Sequence, residues 1–166
     1  MSAEHDDIKR ALDEVSDILE ETQLREAEIP LDVAYWVGMA LITTSPKDKD
    51  DTDRQQIASS IVSRLEKVVP EGLIEKGPND FSGDLSTIVP VALSQRDMEH
   101  IGQAVLSLPS GRQIIRALPI DPSDRAELDG YRNRQLRAFL TLSSMFSEVG
   151  GKVNPQIRAA VEQELS

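Results

Sequence analysis

The sequence predicts an all-α protein: a single-domain bundle of about six to eight helices, with an acidic amphipathic helix at its N-terminus. Three observations lead there. Apolar residues recur at alternating spacings of three and four along much of the chain, the periodicity of a helix with one buried face. Prolines and glycines punctuate those periodic segments and mark where helices start and stop. Only six residues are aromatic, so the core must be built from Leu, Ile, Val and Ala, as helical packing allows. A chain of 166 residues, 39% hydrophobic and 28% charged, can bury enough surface for one independently folding domain.

The first helix is expected from about Glu4 to Glu26, within an N-terminal segment spanning 4–28. Ile8, Leu12, Val15, Leu19 and Thr22 form its stripe, and Ala11 and Ile18 widen it. Asp13, Glu14, Asp17, Glu20 and Glu21 occupy the other faces. The stripe is shorter than the three or four heptads of a coiled coil. Packing against the rest of its own domain is therefore the expectation, with a protruding, self-associating helix as the alternative.

Pro30 opens a second helix, Leu31 to about Thr43, apolar nearly all round and so destined for the centre of the fold. Residues 45–53 (SPKDKDDTD) read as a polar loop, and Asp51 or Thr52 can cap a third helix with Ile57, Ile61, Leu65 and Val68 on one face. Pro70 and Gly72 stop it, and the turn-rich stretch 73–84 is the best internal boundary. Leu85 to Leu93 suits either a short helix broken at Pro90 or an edge strand. The short helix is preferred, because no partner strand is evident. Ser94 and Asp97 resemble a capping box, with Asp in place of the usual Glu or Gln, for a helix that buries Met98, Ile101, Val105 and Leu106.

After the break at Pro109 and Gly111, a short helix is expected over Arg112–Leu118. Asp121 and Pro122 then start a long helix that Gly130 kinks or splits. Gly150 and Gly151 end it, and Asn154-Pro155 starts a terminal helix with Ile157, Val161 and Leu165 inward.

Charge narrows the partners. The net charge is −11; residues 1–28 hold ten acids against three bases, residues 94–166 nine of each. An acidic chain repels phosphate backbones, which disfavours nucleic acid and favours another protein, a basic one above all. With no cysteine, disulfides and thiolate chemistry are excluded. The charged N-terminus MSAEHDDIKR does not read as a signal peptide, and the longest apolar run, Val33 to Ile42, is too short to span a bilayer. A cytoplasmic protein without membrane contact is the expectation.

The motif search points away from catalysis. No Walker loop, nucleophile elbow, HExxH or dinucleotide glycine pattern occurs. The acidic stretch from Asp48 fails as a calcium loop, since Asp53 and Ser59 stand where a turn glycine and a bidentate carboxylate are needed. His5-Asp6 and Asp97-x-x-His100 lack the further ligands that metal chemistry requires. Asp13, Glu14, Asp17 and Glu20 have spacings that hold Mg²⁺ in some all-α hydrolases, yet no second acidic helix is available to face them. No catalytic residue, metal or cofactor is expected.

Two surfaces remain. The acidic face of Asp13, Glu14, Asp17, Glu20 and Glu21 suits protein binding, and at its narrowest it imitates nucleic-acid phosphates as an inhibitor or immunity-type protein would. Arg112, Arg116, Arg132, Arg134 and Arg137 suit an anion or an intersubunit contact, with intrachain or intersubunit pairing preferred because the local charge sums to zero. The expectation is a non-enzymatic interaction module, an adaptor, scaffold or acidic inhibitor that docks a helix face and can form homo-oligomers. Two alternatives are a DNA-associated regulator using a helix-turn-helix-like segment, 94–118, and a metal-dependent hydrolase using the first-helix carboxylates.

Overall fold

The structure, a computed structural model, describes residues 3–44, 52–108 and 122–165. Seven helices and one two-stranded ribbon occur among them: α1 (Ala3–Thr22), β1 (Arg25–Pro30), α2 (Leu31–Thr43), α3 (Thr52–Val68), α4 (Glu71–Lys76), β2 (Ile88–Leu93), α5 (Gln95–Leu106), α6 (Pro122–Glu148) and α7 (Pro155–Leu165). The all-α expectation holds. The short helix expected over 112–118 lies outside the described residues.

Three segments differ from the sequence reading: α4 forms over Glu71–Lys76, into the stretch expected to be turns, and two further departures share one cause. The first helix stops at Thr22 instead of Glu26, and residues 85–93 supply a strand instead of a short helix. These segments are each other's missing partner. They pair antiparallel from Arg25 opposite Leu93 to Pro30 opposite Ile88. Arg25–Pro30 alternates as a half-buried strand should: Ala27 and Ile29 are fully buried, while Glu26 and Glu28 face out. On β2, Val91 and Leu93 are buried on the same inward face. Pro90 is tolerated because a two-stranded ribbon has only edge strands. Such a ribbon is marginal alone; here β1 packs on α6 and β2 on α3.

The ribbon also seats the central helix. Pro30 cannot cap α2 with its side chain, so the orphan donors Leu31 N–H and Asp32 N–H bond to the carbonyls of Thr87 (2.9 Å) and Leu85 (3.2 Å). α2 then buries Leu31, Val33, Ala34, Val37, Ala40 and Leu41 against α3, α5 and α6. From α3 the core takes Ala58, Ile61 and Leu65; from α6 it takes Leu136, Phe139, Leu142 and Phe146; Val161 of α7 closes it.

The capping box is as expected: Ser94 Oγ accepts from Asp97 N–H, and Asp97 Oδ2 accepts from Ser94 N–H at 2.8 Å. α6 is one continuous helix through Gly130, which does not split it. Glycine is required at Gly102, where a Cβ would run into Ile157 and crowd Phe139, so its missing side chain lets α5 lie close to both residues.

Candidate functional site

α1 departs most from expectation. Ile8, Leu12, Val15 and Leu19 are 61%, 64%, 52% and 64% exposed, so the stripe does not pack on its own domain. Leu24, just after the helix, is also exposed. Near its C-terminal end, Glu21 reaches Arg96 of α5 at 3.7 Å, a contact between two exposed side chains that contributes little. The fold therefore presents a row of aliphatic side chains at the i, i+4, i+7, i+11 spacing of one helix face. Asp13 and Glu14 are exposed beside it, whereas Asp17 and Glu20 lie on the same helix with side chains outside the described set.

The arginines divide. Arg132 is buried and bound within the chain: its guanidinium donates to Glu164 of α7 at 2.9 Å and to the Leu108 carbonyl at 3.3 Å. This is a pairing within the chain. Arg134 is exposed and lies over the rings of Trp36 (5.7 Å) and Tyr131 (5.9 Å). Arg137 is exposed on α6. Arg112 and Arg116, and with them the second half of the helix-turn-helix-like segment, lie outside the described residues, as does the acidic stretch 48–51.

Asp97 does not pair with His100. Its carboxylate is consumed by the cap and by Arg64, whose Nη1 donates to Asp97 Oδ2 at 2.8 Å and to the Ala92 carbonyl at 2.6 Å. His100, half-buried on α5, titrates below the usual imidazole range, first because burial disfavours its charged form and next because Arg54 is nearby. Among the described residues, no group of three or more acids and histidines gathers as metal ligands. No helix among them is long and apolar enough to cross a membrane.

No protein family, characterised protein or solved structure matches this chain.

One feature was hidden from sequence reasoning. A cleft of about 460 Å³ opens between α2, the turn after α4, and α6. Tyr35, Trp36 and Tyr131, half of the aromatic residues in the protein, line it. Tyr35 meets Trp36 edge-on at 5.2 Å, and Trp36 tilts against Tyr131 at 5.8 Å. The hydrophobicity of α2 all round suggested full burial, yet Tyr35, Trp36 and Met39 are only partly covered. The available signal was that α2 places its bulkiest side chains, Tyr35, Trp36 and Met39, at spacings of three and four on one side.

Proposed function

We propose that this protein is a non-enzymatic interaction module that docks another protein through the exposed face of α1. The observation carrying this reading is the row Ile8, Leu12, Val15 and Leu19, each more than half exposed although helix periodicity aligns them for burial. Fully burying such a side chain is worth about 1.5–3 kcal/mol, so on the order of 4–7 kcal/mol of burial is left unrealised across the four. A contiguous aliphatic patch with a polar rim is the form that interaction sites take.

Taken alone, that energy supports only weak association once the cost of immobilising a partner is met. The contact therefore extends past the aliphatic row to its flanks, where Asp13 and Glu14 favour a partner with basic residues at its rim.

Affinity capture from the source cell with the wild-type chain and with Leu12→Asp, alongside mass measurement of the intact complexes, tests this. A complex with a partner or a second copy that forms with the wild-type chain and fails with Leu12→Asp supports the reading. No complex, or one that Leu12→Asp retains in full, refutes it.

A further inference from the structure

The cleft beside Trp36 combines four features that point to a ligand of its own. The first is a wall of π-surface made by Tyr35, Trp36 and Tyr131. The second is cationic charge: Lys76, the last residue of α4, and Arg134 both line the cleft, against Asp80 as the one acid among its described lining residues. Arg132 lines it too, but Glu164 already neutralises it. In a chain of net charge −11, a locally positive aromatic cleft runs against the average.

The third feature is the side-chain amide of Gln135. This residue is only 7% exposed, it lines the cleft, and among the described residues no hydrogen bond reaches its side chain. A carboxamide left unpaired when buried costs about 1–3 kcal/mol, so Gln135 offers a donor and an acceptor to whatever fills the cleft. The fourth is size: about 460 Å³ falls in the range of small-molecule sites.

We propose that this cleft binds a small planar aromatic anion: a ring with a hydrogen-bonding edge that packs against the aromatic wall of Tyr35, Trp36 and Tyr131 beside the Arg134 guanidinium, and a phosphate or carboxylate held by Arg134 and Lys76. Gln135 satisfies its amide on the ring edge, since a carboxamide offers a donor and an acceptor side by side. A cationic ligand is disfavoured, because Arg134 already lies over the two rings and Lys76 adds repulsion. The site is separate from the α1 face and does not depend on the docking role.

Trp36 is the only tryptophan, so its fluorescence reports this cleft alone. The probes are AMP and nicotinate, a phosphate and a carboxylate member of the class, each with its neutral counterpart, adenosine or nicotinamide. At least one anion quenches Trp36 saturably, and its neutral counterpart binds roughly tenfold or more weakly. Gln135→Leu and Arg134→Ala each weaken the anion by about tenfold, while circular dichroism confirms that both variants are folded. Leu12→Asp leaves the titration unchanged, so the two readings fail separately. The proposal is overturned if neither anion gives saturable quenching at millimolar concentration, if the neutral counterpart binds equally well, or if Gln135→Leu keeps full affinity.

Discussion

Arg64 on α3 and Asp97 on α5 meet at 2.8 Å, and that same carboxylate oxygen also accepts the backbone N–H of Ser94. One oxygen thus joins a helix cap to a second helix, and Arg64 extends the link to the ribbon through the Ala92 carbonyl. Asp97 is 6% exposed, so removing one partner leaves polar groups buried and unmatched. Arg64→Ala and Asp97→Ala are each expected to destabilise the fold by about 2–4 kcal/mol in urea unfolding. Asp97→Ala is the worse of the two, because it also removes the cap. The double variant loses less than the sum of the two, a coupling that a double-mutant cycle measures.

Two glycines on helices should respond in opposite directions. A methyl at Gly102 collides with Ile157 and Phe139, so Gly102→Ala should cost about 1–3 kcal/mol by forcing α5 away from α7. At Gly130 a Cβ meets nothing within 4 Å. Gly130→Ala should therefore raise stability by about 0.5–1 kcal/mol by removing backbone entropy from the unfolded chain. Thermal melts of the two variants decide both.

His100 makes stability depend on pH. Burial and Arg54 lower its folded-state pKa, while Asp97 and Glu99 oppose them only in part and Arg96 adds to the lowering. Its unfolded value is near 6.5, so the unfolded chain binds the proton more readily. The penalty is absent above that value and grows as pH falls through it toward the folded pKa. Chemical denaturation at pH 7.5 and 5.5 should show a loss on acidification that is smaller in His100→Gln.

The α1 row separates binding from folding. Leu12→Asp and Leu19→Asp should change unfolding free energy by no more than about 0.5 kcal/mol, because both side chains are already 64% exposed. A drop of several kcal/mol in either would mean that the row is buried in solution.

Most helices were legible because periodicity and caps act locally. Ser94–Asp97 and Asn154-Pro155 each set a helix start within four residues, and both are seen. The ribbon was not legible: Arg25–Pro30 carries Glu26 and Glu28, which continue the acidic helix in sequence, and its partner is far along the chain. Pairing at that distance leaves no local mark. Exposure of the α1 stripe was equally hidden, since an amphipathic pattern states which face is apolar and not what covers it. The cleft depends on α2 and α6 coming side by side, so no single segment announces it.

The ribbon bears on kinetics. Helices can form on their own within microseconds, but pairing Pro30 with Ile88 closes a loop over the whole segment that carries α2, α3 and α4. α2 depends on that closure, because its first amide donors are satisfied by carbonyls just ahead of β2. A mostly helical chain thus places one non-local step on its route to the native state, and it should fold more slowly than a bundle held by neighbour contacts alone.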